Sequence, residues 1–291
     1  MGEALKQQNH ILVGFNNPLV KSVLPILLQD HTTHKNIIWA TEPPENLTGI
    51  YSSDDEITVE KIFEVDIKPR CLKRIVDQKK RTHNKAEVFT PTWLCNKMNN
   101  NADNEWFKKE NVFNTETDKS WVTNKKKIRF TKKSGSWQDY VMSTRLEITC
   151  GEAPFLVSRY DTSSGEEISI NDRIGFLDRK LRVVNENTKE FGEWIVWTVN
   201  AFKSVYGFEF QGDNLLIART NLFLTFVEYY IDRFDREPGK ILCENIAEII
   251  SANIFQMDGL KYCIPNRPEI PCKLYDWKAE ECLYFKDMVK E

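Results

Sequence analysis

A strong charge of one sign, apolar runs of transmembrane length and paired cysteines are all missing from this 291-residue chain. Lys and Arg total 40 against 43 Asp and Glu, a net charge of −3. No global polycation is available for permanent nucleic-acid binding, so any such contact needs a local basic face. No run of 18 apolar residues occurs, which excludes a membrane-spanning helix. Residues 1–6 lead into polar residues rather than an apolar stretch, so no secretory leader is expected. Cysteines stand at 71, 95, 150, 243, 263, 272 and 282, and none forms a C-x-x-C pair. That odd, scattered set reads as the reduced thiols of a cytoplasmic protein. Cys263, Cys272 and Cys282 match no zinc spacing and have no histidine nearby, so no metal site is expected. Glycine (12) and proline (11) are few, which leaves little room for long disordered tracts. The four histidines, at 10, 31, 34 and 83, show no ligand spacing and read as structural.

What is present is an alternation of two periodicities. Residues 11–28 are apolar with prolines at 18 and 25 and suggest a short helix with broken ends. Residues 35–40 read as a buried strand stopped by Pro43 and Pro44. Residues 96–125, rich in Asn, Asp and Lys, look like a surface excursion. Residues 145–149 read as a strand ending at Cys150-Gly151, and 152–160 as a helix. Helical patterns follow over 174–185 and 193–204, then a short strand over 205–210. A long apolar helix is expected over 215–234, broken by Pro238-Gly239, with helix again at 246–250 and a third strand at 253–258. The tail over 265–271 reads as a loop. Strands alternating with helices imply a parallel sheet, and such sheets bind ligands beyond the carboxyl ends of their strands.

Those ends carry suggestive residues. Gly151 allows a tight backbone turn close to a ligand. Glu209, in Tyr206-Gly207-Phe208-Glu209, is placed to accept both hydroxyls of a ribose. Asp258, in Gln256-Met257-Asp258-Gly259, is placed to accept from an adenine amino group. Each has a plainer reading as a turn former or a solvated strand-end charge.

Five motifs occur in order between residues 86 and 260. They are Ala86-Glu87-Val88-Phe89-Thr90-Pro91, Leu146-Glu147-Ile148-Thr149-Cys150-Gly151-Glu152-Ala153-Pro154-Phe155-Leu156, Tyr206-Gly207-Phe208-Glu209, Leu216-Ile217-Ala218-Arg219-Thr220-Asn221-Leu222 and Gln256-Met257-Asp258. The set resembles the amino-terminal, cofactor-binding half of bacterial adenine-specific DNA methyltransferases, the restriction endonuclease subunit M family. The resemblance implies an α/β fold: a Rossmann-like methyltransferase sheet with helices on both faces over 86–291, preceded by an amino-terminal extension over 1–85. It implies S-adenosylmethionine as cofactor. Phe89, Thr90 and Pro91 would cover its methionine end, and Cys150, Gly151 and Glu152 would hold its amino-acid portion. Glu209 would take the ribose and Asp258 the adenine. Thr90 and Pro91 also suit a plain helix start, by capping and first-turn proline.

Two features bear on DNA. Lys125, Lys126, Lys127, Arg129, Lys132 and Lys133 gather cations beside Phe130 and Trp137, a combination suited to phosphate contact and base stacking, although most charge runs are solvated faces. Arg70, Lys73, Arg74, Lys79, Lys80 and Arg81 form another basic cluster, and residues 178–182 a further candidate contact. Against these stands an absence. Adenine amino methylation in the resembled family needs an Asn or Asp followed by Pro-Pro and an aromatic residue, which stacks on the flipped base. No such tetrapeptide lies between 258 and 291, and Pro43-Pro44-Glu45 offers no stacking ring. The expected activity is therefore a cofactor-binding, DNA-contacting component of a restriction-modification system, with a second polypeptide supplying the missing motif. The rivals are a non-enzymatic DNA-binding or assembly module on the same fold and a methyltransferase for small molecules or proteins.

Overall fold

The computed structural model describes residues 14–43, 49–73 and 90–289. It is a mixed α/β protein of helices and small sheets. In chain order the helices are α1 (Pro18–Leu27), α2 (Val59–Val65), α3 (Thr92–Phe107), α4 (Trp137–Met142), α5 (Phe176–Asn187), α6 (Phe191–Lys203), α7 (Gly212–Phe234), α8 (Lys240–Asn253) and the single turn α9 (Phe285–Met288). The strands are β1 (Gln29–Asp30), β2 (Lys35–Asn36), β3 (Asn114–Thr117), β4 (Ser120–Thr123), β5 (Arg145–Glu147), β6 (Val205–Glu209), β7 (Ile254–Gln256), β8 (Cys263–Ile264), β9 (Arg267–Pro271), β10 (Lys273–Asp276) and β11 (Glu281–Tyr284). None of the described helices is long and apolar enough to cross a membrane.

The organising element is the parallel sheet β5-β6-β7, in that spatial order. The other sheets are antiparallel pairs: β1-β2, β3-β4, β8-β9 and β10-β11. The period of two assigns the residues of the parallel sheet to opposite faces. One face carries Glu147, Val205, Gly207, Glu209, Ile254 and Gln256. It joins the main core, in which Leu177, Leu181, Trp194, Phe202, Leu216, Phe226, Ile246 and Ile250 of α5 to α8 are buried. The opposite face carries Leu146, Tyr206, Phe208 and Phe255. Phe208 and Phe255 pack into a second, smaller cluster with Met257, Ile264, Cys272, Leu274 and Phe285 from the carboxyl-terminal strands and α9. The small sheets, mostly antiparallel pairs, do not establish a Rossmann-like arrangement with helices on both faces. Helices α6, α7 and α8 contact the parallel sheet, and the antiparallel hairpins with α9 pack against its Phe208 and Phe255 side. That cover stops short of β5, where Leu146 is 44 % and Ile148 66 % exposed, and a groove of about 340 Å³ lies between Leu146, Tyr206, Phe255 and Trp277.

The longest helix, α7, is buried all round from Gly212 to Val227, as expected for a helix threaded through a core rather than laid upon it. It contains Arg219, whose guanidinium donates to the backbone oxygens of Ile254 (2.7 Å), Leu27 (2.6 Å), Gln29 (2.9 Å) and Ser251 (3.0 Å). Gln256 of β7 pairs with both backbone groups of Ile38, at 2.9 and 2.8 Å. The described residues of the 1–85 segment thus share the main core with the rest of the chain.

Several local expectations shift. Residues 152–160 form turns rather than a helix, because Pro154 lacks a donor and Ala153 sits at φ +64°. The 35–40 strand shrinks to β2, followed by an isolated bridge between Ile38 and Glu56. The tail loop is the hairpin β8-β9. The largest change concerns 96–125. It is not a surface excursion but α3 plus the hairpin β3-β4. Asn96, Asn99, Asn100, Asp103 and Asn114 are buried. All but Asn99, which donates to Phe155 O and Ile174 O at 3.0 Å, form a polar network around Arg179, which donates to Asp103 Oδ2 (2.6 Å), Asn96 Oδ1 (2.9 Å) and Asn100 Oδ1 (2.8 Å). A buried polar face of this kind leaves no apolar period in the sequence. Of the histidines, His31 Nε2 meets Ser251 Oγ at 2.9 Å; His10 and His83 lie outside the described residues.

Candidate functional site

The carboxyl ends of the three parallel strands are laced together. The chain leaving β5 passes through three positive-φ residues, Thr149 (47°), Gly151 (54°) and Ala153 (64°), which folds it back across the sheet edge. Cys150 N donates to Phe208 O at 2.8 Å. Gly151 N donates to Glu209 Oε2 at 2.8 Å, and Gln211 N to Glu209 Oε1 at 3.1 Å. Met257 N donates to Glu209 O at 3.0 Å and brings in β7. Gly151 and Glu209, from two strand ends 58 positions apart, therefore touch directly.

The other expected residues are placed differently. Cys150 is buried, with its Sγ 3.3 Å from where a side chain on Gly207 would begin. Burial and the nearby Glu147 and Glu209 carboxyls push its thiol well above the ordinary range, so it is no nucleophile. Glu152 is buried and turns inward: Oε1 accepts from Arg70 N (2.6 Å) and Oε2 from the Tyr160 hydroxyl (2.6 Å). Asp258 Oδ1 accepts from Leu260 N (3.0 Å) and Lys261 N (3.2 Å), closing its own turn; its backbone follows directly from the Glu209-bound Met257. Pro91 caps the start of α3 with no side-chain hydrogen bond, and Thr90 O accepts from the Thr162 hydroxyl at 3.1 Å. Phe89 lies outside the described residues, as do Pro44 and Glu45.

Glu147 is a site residue that sequence reasoning passed over. It sits inside the Leu146-to-Leu156 motif, and as an acid in a buried strand position it carried a signal. Its carboxylate reaches forward to accept from Phe155 N (3.3 Å) and Leu156 N (3.1 Å). Burial pushes that carboxyl well above the usual range. Gly175 seats the far side of the loop: a Cβ there would meet Leu156 O at 2.3 Å. Asp178, one turn on, accepts from Ser158 N (2.8 Å) and Gly175 N (3.2 Å).

Burial raises the Asp178 carboxyl from 3.8 to about 6, against the opposing pull of Arg173 and the Ser158 hydrogen bonds. A carboxyl with a raised folded pKa binds its proton more tightly in the folded state. Its ionisation therefore costs stability progressively from about pH 4 to 6, with the full cost present above that window. Asp178→Asn should remove this cost, on the order of 3 kcal/mol for a shift of about two pKa units. Denaturant melts of both proteins should diverge from pH 4.5 to 6 and run parallel above pH 7. Curves parallel throughout would show that Asp178 does not titrate there.

The basic stretch occupies a second region. Lys125, Lys126, Lys127, Arg129, Lys132 and Lys133 are all exposed. The adjoining 178–182 contact is corrected: Arg179 and Lys180 are buried. Lys180 Nζ donates to Ser143 O and to Ser204 Oγ, and burial drives its pKa far down. Arg70 and Lys73 of the other basic cluster are described, with Lys73 Nζ 3.3 Å from Asp213 Oδ2; Arg74, Lys79, Lys80 and Arg81 lie outside the described residues. No group of three or more metal-ligating side chains occurs among the described residues. Comparison with protein-family models, with curated proteins and with solved structures gives no match.

Proposed function

We propose that this chain is the cofactor-binding part of an adenine-specific DNA methyltransferase of the restriction-modification type, with S-adenosylmethionine held at the carboxyl ends of β5, β6 and β7. The single observation that carries this reading is the 2.8 Å hydrogen bond from Gly151 N to Glu209 Oε2. It joins a tight glycine turn after one parallel strand to a carboxylate at the end of the next. A turn that brings backbone close to a ligand, beside an acid able to accept from vicinal hydroxyls, is the arrangement by which open parallel sheets hold nucleosides. Glu147, by fixing Phe155 and Leu156, keeps the turn in shape without touching the ligand.

Of the expected residues, Gly151 and Glu209 stand where they could meet such a cofactor, while Glu152 and Asp258 are engaged within the chain; the group would supply an electrophilic methyl when bound. The chain's own part is to bind and orient. Residues 258–291 hold no Asn/Asp-Pro-Pro-aromatic tetrapeptide, so in this reading the target base is presented by residues other than these. Calorimetry with S-adenosylmethionine tests the reading. Binding should be measurable for the natural chain and weakened about tenfold or more by Glu209→Ala, since losing a charged acceptor costs roughly 1.5–3 kcal/mol. A folded protein that gives no heat sinks the assignment, as does an unaltered affinity in the variant.

A further inference from the structure

Lys109, at the end of α3, lies some fifteen positions or more from the basic stretch in sequence, yet it lines the same concavity. A groove of about 640 Å³ is bordered by Lys109, Lys126, Lys127 and Arg129, with Phe107, Val112 and Ile128 among its lining residues. Lys125, Lys132 and Lys133 flank it. These seven cations are exposed, and none takes part in an ion pair among the described residues. Lys125 faces Asp172, whose carboxyl is held down chiefly by the Thr123 hydroxyl and in part by this cation. In a chain with more acids than bases, the other six cations around one groove keep a standing positive potential there.

The loop that carries them is held. Arg182 Nη2 donates to Asn124 O (2.6 Å) and Lys126 O (3.0 Å). Glu186 accepts from Ile128 N at 2.7 Å and from Arg182 Nε at 2.8 Å. The one carboxylate facing this loop from α5 is thus engaged with backbone and Arg182, and the lysines are left to solvent. Beneath the cationic rim the lining joins the polar Asn124, Thr131 and Ser134 to the largely buried Phe107, Val112 and Ile128, which pack with Phe113 and Phe130, the Phe107 and Phe130 rings 5.3 Å apart.

The geometry points to a binding groove for a single strand of DNA, its phosphates on the lysine rim and a base edge against the apolar lining. A volume of this size falls within the range of pockets that enclose a ligand, about 300–1,000 Å³, whereas an intact duplex offers such a hollow only its outer phosphates. Cationic rims over apolar or aromatic floors are how sequence-tolerant single-strand sites work. The assignment rests on the reading of the chain as a DNA-acting protein and adds the form of DNA and the place it binds.

Fluorescence anisotropy with a labelled twelve-residue oligothymidylate, an abasic strand of the same length and a blunt duplex, each titrated in salt, tests it on the full chain. The oligothymidylate should bind about tenfold or more tightly than either of the others at equal salt. Lys126→Gln/Lys127→Gln/Arg129→Gln should flatten the salt dependence by about 2 in the log-log slope, from roughly 0.7 per single-strand phosphate contact. Lys109→Gln, a lone exposed substitution, should flatten it by about 0.7. Equal or tighter duplex binding overturns the proposal, and so does an unchanged slope in the triple variant. The calorimetry above separates the two claims. Cofactor heat with no groove effect removes the groove alone, whereas groove binding with no cofactor heat removes the methyltransferase reading and leaves the groove standing.

Discussion

Arg219→Met will cost this protein about 4 kcal/mol or more of folding stability, among the largest effects a single substitution can have. The guanidinium is wholly buried and satisfies four backbone oxygens contributed by α1, β1, α8 and β7. Burial lowers its pKa to about 10, with Asp30 opposing, so it remains a cation at neutral pH. Two effects compete. Removing a buried charge recovers a desolvation penalty of several kcal/mol. It also takes a donor from four backbone oxygens inside the core, each at a cost of about 1–3 kcal/mol where it is left unmet. The strands and helices that present these carbonyls are fixed by their own ladders and cannot turn outward, so the second effect wins. Arg219→Lys should fall between, because an ammonium cannot span four acceptors in a plane. Chemical denaturation of the three proteins decides the matter; a methionine variant within 1 kcal/mol of the natural chain would show that the carbonyls find other partners.

Arg179→Met should lower stability by about 3–5 kcal/mol, the usual cost of leaving one member of a buried ion pair behind. Its partner Asp103 is 2 % exposed and would keep only the Tyr140 hydroxyl, at 3.0 Å, as a close donor. Asn100 would lose the Arg179 donor to its side-chain oxygen, Asn96 one of two donors, keeping Asn114 Nδ2 at 2.8 Å, and the Phe113 ring the nearer of two cations, at 5.1 Å. The informative protein is the double variant Arg179→Met/Asp103→Asn. Neutralising the stranded carboxylate should recover at least half of the loss, a coupling visible in a thermal-melt cycle. Strictly additive losses would mean that Arg179 acts by packing and not by pairing.

The same network explains why part of the chain was illegible in sequence. Helices α5 to α8 announce themselves by apolar residues at helical spacing, and the strands before and after them by short β-branched or aromatic runs. Their bounds shift by only a few residues for α5 to α7, while α8 proves longer than the span expected. Helix α3 is written in asparagines. Its buried face is polar because Arg179 sits behind it, and nothing in a hydrophobic pattern distinguishes an asparagine that faces a buried cation from one that faces water. The turn at 149–153 was legible as a ligand-approaching loop through Gly151. The positive φ of Thr149 and Ala153 was not, since neither residue favours it. At the strand ends, Gly151 and Glu209 could be named because their chemistry and register agree. The inward turn of Glu152 depends on more distant partners, Arg70 and Tyr160, whereas Asp258 closes its turn locally on Leu260 and Lys261. Glu147 could have been named on one rule alone: an acid alternating with apolar residues in a strand entering a core needs a partner.

The uncovered side of β5 has a consequence for how the chain behaves alone. Leu146 and Ile148 meet solvent at β5, an edge strand whose outward backbone groups have no ladder partner among the described residues. Two devices blunt that rim: β5 is only three residues long, and Glu147 turns its carboxyl inward. What the margin leaves to solvent is apolar side-chain surface, and that surface, not a free ladder, is where neighbouring molecules would gather in concentrated samples.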